Sequence, residues 1–136
     1  MKKTDQTIDI SLNFSKDDNL NSSCDNEQIS RVFFNLIKNS IESIQERSKK
    51  NPDFTKIIDI EIITNNDYIT INITDNGIGF SEENIKNIVK PYFTTKTKGS
   101  GLGLSIVSKI INDHNGSIKF NTNKNGAKIQ VILLKT

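Results

Sequence analysis

The chain reads as a two-layer α/β sandwich, with a sheet of about five strands wet on one face and covered by helices on the other. Three observations lead there. Five short runs alternate apolar and polar residues, so each has one face to bury and one for water. Between them lie stretches whose apolar residues recur at helical spacing. Turn chemistry rich in Asn, Asp and Gly separates the two kinds of segment.

In chain order, Ile8, Ile10, Leu12 and Phe14 share one face of a first strand, over 8–14. A loop follows at 15–19, with a very short strand placed around 20–23. Asp25 or Asn26 caps a long helix that runs to about Arg47, with Glu27 in its first turn. Its apolar stripe is Ile29, Val32, Phe33, Leu36, Ile37, Ile41 and Ile44. Residues 48–56 form a polar loop containing Pro52. Strands 57–64 and 68–74 make an antiparallel hairpin across Asn65-Asn66-Asp67. Ser81 caps a short helix that Pro91 ends, and 92–100 reads as a mobile lid. A third helix, 101–114, closes at Asn115-Gly116. Strands 117–123 and 127–134 flank the hairpin signal Asn125-Gly126.

Composition narrows the function classes. The 136 residues amount to one domain, taken as 1–136. A formal net charge of +2 gives no strong pull toward nucleic acid. No apolar run is long enough to span a bilayer, and Met1-Lys2-Lys3 is not followed by a signal sequence. The expectation is a cytoplasmic protein without direct membrane contact. The single cysteine, Cys24, excludes an internal disulfide and reads as a small apolar residue. The single histidine, His114, has no Cys or His partners for a metal site and reads as an ordinary helix-end residue.

Three motifs carry chemistry. Asp75 ends a strand and is followed by Asn76, Gly77, Ile78 and Gly79. A hairpin turn alone would account for this pattern. A carboxylate held rigidly at a strand end also suits an amino group on a planar ring, such as adenine's. Gly77 and Gly79 admit backbone angles closed to other residues and allow a ligand close approach. On the long helix, Arg31, Asn35, Asn39 and Glu42 form a polar ridge. It is either a solvated face or a pair of amide oxygens aimed at a hydrated Mg²⁺, which takes few protein ligands beside substrate phosphates. Gly99-Ser100-Gly101-Leu102-Gly103-Leu104 opens a helix, where unpaired N–H groups make an anion site.

Together and in this order, the three motifs resemble the ATP-binding catalytic domain of bacterial sensor histidine kinases, within the Bergerat-fold ATPases. Pro91-Tyr92-Phe93-Thr94-Thr95-Lys96 resembles most closely the nitrogen-regulation branch. The resemblance implies a mixed, mostly antiparallel sheet covered on one face by three helices. It implies ATP and Mg²⁺ as ligands. Asp75 would accept from the adenine amine with the help of a water, and Gly77 and Gly79 would pass close to the nucleotide. Asn39 would ligate Mg²⁺, with Asn35 one turn away near the phosphates; these two are the catalytic candidates. Phe93 would pack under the closed lid, beside Thr94 and Thr95. Gly99, Ser100, Gly101 and Gly103 would frame the phosphates, with Leu102 and Leu104 anchoring the lid. Either Lys96 or Lys98 would supply lid charge. Glu42 departs from branches that carry a basic residue near this place.

The implied reaction is transfer of the γ-phosphate to a histidine on a separate dimerisation and phosphoacceptor domain, in cis or in trans, for relay to a response regulator. No such helical hairpin fits before Ile8. His114 stands roughly 15 Å along its helix from the phosphates, so the acceptor is expected elsewhere. The alternatives are a hydrolytic Bergerat ATPase, an anti-sigma-type serine kinase, or a nucleotide-binding remnant. The related ATPases and serine kinases carry a glutamate base where this chain has Asn35, and an amide cannot take a proton.

Overall fold

A computed structural model describes residues 7–14, 25–79, 103–123 and 126–135. The described elements are β1 (Asp9–Asn13), α1 (Asn26–Lys50), β2 (Ile57–Thr64), β3 (Tyr68–Asp75), α2 (Gly103–Asp113), β4 (Ser117–Asn123) and β5 (Gly126–Leu134). The strands form one sheet in the order β1-β2-β3-β5-β4. β1 runs parallel to β2 and every other pairing is antiparallel. A parallel pair needs a crossover, and α1 supplies it. The mixed, mostly antiparallel α/β sandwich is therefore as expected. Two helices are described; the short one expected over 81–90, the short strand around 20–23 and Cys24 lie outside the described residues.

Strand register builds the core. Ile60, Ile73, Ile129 and Phe120 stand in one row across the sheet, and Ile62, Ile71, Val131 and Ile118 in another. Above them lie Val32, Leu36 and Ile44 of α1, and Val107, Ile110 and Ile111 of α2. Each buried aliphatic side chain contributes about 1.5–3 kcal/mol from leaving water. The alternate residues, Ser11, Asp59, Thr74, Lys128 and Asn121, form a row on the outer face, where Ser11 Oγ donates to Asp59. β1 differs from expectation. Its apolar face is not buried: Ile10, Leu12 and Phe14 are about half exposed, at 52%, 55% and 48%. β1 is an edge strand, and the helices pack over β3 and β4.

Helix ends follow their capping chemistry. The Asp25 side chain accepts from the Gln28 N–H at 3.0 Å. α1 continues past Arg47 to Lys50, with Arg47, Lys49 and Lys50 at the negative end of its dipole. It stops at Asn51, the residue before Pro52, whose φ of −144° is no longer helical. α2 closes at Asn115, which takes the left-handed conformation (φ 60°), while the Gly116 N–H bonds back to Ile111 O at 2.9 Å.

Candidate functional site

The site begins at the end of the central strand. β3 is flanked by β2 and β5, so Asp75, opposite Ile58 and Ala127, is only 4% exposed despite being charged. Burial pushes its carboxyl above the ordinary aspartate range. Hydrogen bonds from the Gly77 N–H and the Ala127 N–H, and the nearby Ser40 hydroxyl, oppose that shift. The Gly77 bond is well formed, at 2.9 Å to Oδ1. The Ser40 hydroxyl is near enough to favour the ionised carboxyl, yet among the described residues it meets no partner in hydrogen-bond geometry. It is 1% exposed. The site thus holds a buried acceptor and a buried hydroxyl with hydrogen-bonding capacity left over.

α1 holds the turn after Asp75 from one side. Ser43 Oγ accepts from the Ile78 N–H at 3.0 Å. A Cβ on Gly77 would run into Ser43, 2.6 Å from its carbonyl carbon. Gly77 therefore serves close approach to the helix, while the unusual backbone angle expected of both glycines occurs at Gly79 alone (φ 72°). The second hairpin presses from the other side. A Cβ on Gly79 would lie 2.6 Å from Thr122 Oγ1 and 2.7 Å from Gly126 O.

Asn76 ties the turn to the segment before β2. Its Oδ1 accepts from the Ile57 N–H at 2.9 Å, and its amide donates to Thr55 O. Arg47 Nη1 donates to Asn76 O at 2.6 Å, and its guanidinium lies 4.0 Å from the centroid of the Phe54 ring.

The structure brings Asp75 beside Ser40 of α1 and the turn carrying Gly77 against Ser43 of the same helix. Asn35 and Asn39 are half-buried on that helix, as is Glu42, while Arg31 is exposed. Gly103 is the first residue of α2, and Leu104 packs against the core. Phe93, Thr94, Thr95, Lys96, Lys98, Gly99, Ser100, Gly101 and Leu102 lie outside the described residues. Ser40, Ser43, Arg47 and Asn76 were not singled out from the sequence. A signal existed: Asn39, Ser43 and Arg47 continue the four-residue step begun at Asn35.

His114 joins two helix ends. Its Nδ1 faces Ile110 O at 2.8 Å and its Nε2 faces the Asp25 N–H at 3.0 Å. The first contact requires a donor and the second an acceptor, which sets the neutral, Nδ1-protonated tautomer. The residue is structural, as its place at a helix end led us to expect.

The chain as a whole can be placed among known proteins. Residues 24–136 match the family described as "Histidine kinase-, DNA gyrase B-, and HSP90-like ATPase". The chain belongs to that family. Among relatives, sporulation kinase C of Bacillus subtilis (strain 168) is 33% identical over 127 residues, 93% of this chain and 28% of that protein. A putative NtrY-like sensor histidine kinase of Rickettsia conorii (strain ATCC VR-613 / Malish 7) is 38% identical over 109 residues, 79% of this chain and 17% of that protein. The chain therefore spans less than a third of the length of these relatives. The nucleotide-free catalytic domain of histidine kinase ThkA superposes with a TM-score of 0.80 at 31% identity, covering 96% of this chain and 81% of that one. ThkA has also been solved in complex with the response regulator protein TrrA. Within the ATPase family this chain is thus a histidine-kinase-type catalytic domain.

Proposed function

We propose that the chain, 1–136, is the single nucleotide-binding unit of a cytoplasmic sensor histidine kinase. It binds Mg-ATP and passes the γ-phosphate to a histidine on a dimerisation and phosphoacceptor domain, in cis or in trans, for relay to a response regulator. The observation that carries this reading is Asp75, a buried carboxylate at the end of the central strand beside Ser40 of α1, the helix that also bears Asn35 and Asn39. It would accept from the adenine amine. Gly77 and Gly79 let the ring approach the main chain, and Gly103 with the preceding 99–102 would meet the phosphates, with Phe93, Thr94, Thr95 and Lys96 or Lys98 closing over them. No described helix is long and apolar enough to cross a membrane, which is compatible with the compartment proposed.

The donor chemistry fits Mg²⁺. Among the described residues no three His, Cys, Asp or Glu side chains cluster to hold a metal unaided. A hard ion that keeps its waters and shares phosphate oxygens needs little more than the amide oxygen of Asn39. Bound there, it would neutralise charge developing on the phosphates. Asn35 offers an amide where hydrolysis would require a base, so water is not activated from that position. Both nitrogens of His114 are engaged within the fold.

Radiolabelled ATP tests the assignment. The chain alone should remain unlabelled and hydrolyse little. Adding a phosphoacceptor domain of the nitrogen-regulation type should yield acid-labile phosphohistidine on that domain. Transfer would be slow without a tether, which otherwise supplies an effective concentration in the mM range. Strong labelling of the chain alone that survives His114→Ala would sink the reading. Acid-stable label would indicate serine or threonine phosphorylation instead.

Ser40 gives a second test. Its hydroxyl is buried beside Asp75 and has capacity for a nucleotide-linked hydrogen bond. Ser40→Ala should weaken ATP binding by about 0.5–1.5 kcal/mol, the value of one such bond. The same change should leave the melting temperature unchanged or raised, because it removes a buried polar group short of partners. Lower stability with unaltered affinity would place the hydroxyl in the fold rather than the site.

A further inference from the structure

We propose that Arg47 is a positioning residue for the nucleotide, acting through the peptide unit between Asn76 and Gly77 to orient the Asp75 carboxylate. The inference rests on the adenine-binding reading of Asp75 and adds a residue to it.

The two ends of one peptide group carry the argument. Arg47 Nη1 donates to the carbonyl oxygen of Asn76 at 2.6 Å. The N–H of the same peptide unit, on Gly77, donates to Asp75 Oδ1 at 2.9 Å. A peptide group is planar, so gripping its oxygen also sets the direction of its N–H. A cation on the carbonyl polarises the unit and makes that N–H a stronger donor. The chain of bonds therefore runs from guanidinium to carbonyl, from amide to carboxylate. At its far end is a carboxyl that burial holds above the ordinary aspartate range.

Arg47 is itself held. Its guanidinium rests 4.0 Å from the centroid of the Phe54 ring, and its own carbonyl caps the Asn51 N–H at 2.9 Å. Asn76 is fixed independently by Ile57 and Thr55. An arginine near a helix C-terminus would ordinarily remain at the surface, where it already has favourable charge. Here it reaches across to the loop of another element and is half-buried there.

Around Asp75 the described elements present few other charges. Ser40 faces it from α1 and the Ala127 N–H from β5. Lys56, ahead of β2, lies 5.3 Å from the centroid of the Phe54 ring that Arg47 also covers. Lys128 of β5 is exposed, in the outer-face row with Asp59. Arg47 is connected to the carboxylate through the Asn76–Gly77 peptide by the two hydrogen bonds given above.

The experiment compares the wild-type chain with Arg47→Ala and Arg47→Lys in two measurements. The first follows the Gly77 amide resonance against pH by NMR without nucleotide. The second is ATP affinity by calorimetry across the same pH range, where phosphate ionisation is common to all three and cancels. Arg47→Ala should move the Gly77 titration midpoint upward and weaken ATP binding about 5–10-fold at neutral pH, the scale of one ordinary hydrogen bond lost at one remove from the ligand. Arg47→Lys, which keeps the charge without the planar fork, should fall between. An unmoved midpoint in a folded Arg47→Ala chain overturns the proposal, even if affinity falls, because loosening of the helix end alone would not change the titration. Should Arg47→Ala fail to fold, Arg47→Lys decides by the same criterion. A wild-type chain that titrates as expected but does not bind ATP would refute the adenine reading while leaving the Arg47 relay standing.

Discussion

Asp75→Asn should cost about 1.5–3 kcal/mol of ATP affinity, the range for a hydrogen bond to a charged group. The fold should survive. Asparagine keeps an oxygen to accept from the Gly77 N–H, now 2.9 Å from the carboxylate, and it removes a buried charge. The expected signature is thus opposite in sign for binding and stability. Burial raises the Asp75 carboxyl above its ordinary value. Between the unfolded value and the raised folded one, the folded chain binds more protons than the unfolded chain. Stability therefore decreases as pH rises through that window, and Asp75→Asn should abolish this dependence. ATP affinity should run the other way, weakening as pH falls through the folded value and the acceptor is protonated. Calorimetric titration of both chains across pH measures this directly, and thermal melts supply the stability arm. A mutant that binds ATP like the wild type would rule out the adenine role.

Gly126→Ala should be the most destabilising substitution of the site, although it touches no proposed ligand group. Gly126 has φ 140°, and a Cβ there would run into the Asp75 carbonyl, with Asn76 Cα at 2.9 Å. The backbone conformation costs about 1–3 kcal/mol for a residue with a side chain. Forcing an atom into packed backbone costs roughly 1–3 kcal/mol more. The clash cannot be relieved by a side-chain rotation, since Asp75 belongs to the central strand. Against a total stability of about 5–15 kcal/mol, the loss should appear as a clear drop in urea midpoint. ATP affinity should fall with it, because relaxation moves Asp75. An alanine variant as stable as the wild type would mean that the β4–β5 turn is not pressed on the end of β3.

The likeness to sensor-kinase catalytic domains depended on sequence order and spacing, and these were legible because the motifs are local. Asp75 stands next to its two glycines, and Asn35 and Asn39 are one helical turn apart. The strands were equally legible, since alternation in Ile58–Ile62 or Ile69–Ile73 is imposed by the pleat itself. What escaped the reading is contact between segments. Ser40 and Ser43 are small residues on a long amphipathic helix and give no period of their own. Only when β3 docks beneath α1 does Ser43 meet the Ile78 N–H and Ser40 come beside Asp75. Gly126 read as half of an ordinary hairpin turn, yet the reason for glycine is the backbone of Asp75, fifty-one residues earlier.

By itself the sequence determined which of the described segments are strands and helices, where the capping of α1 begins, and that a lone carboxylate precedes a glycine turn. Those are consequences of neighbours within a few residues, where covalent geometry and side-chain period decide. The tertiary structure alone decided that β1 leaves Ile10, Leu12 and Phe14 half exposed, because an edge strand's burial depends on what reaches over it. It also decided that Gly77 is a matter of space and Gly79 of both angle and space. And it decided that Arg47 reaches the Asn76 carbonyl, because a hydrogen bond across twenty-nine residues exists only once α1 and the end of β3 share one surface.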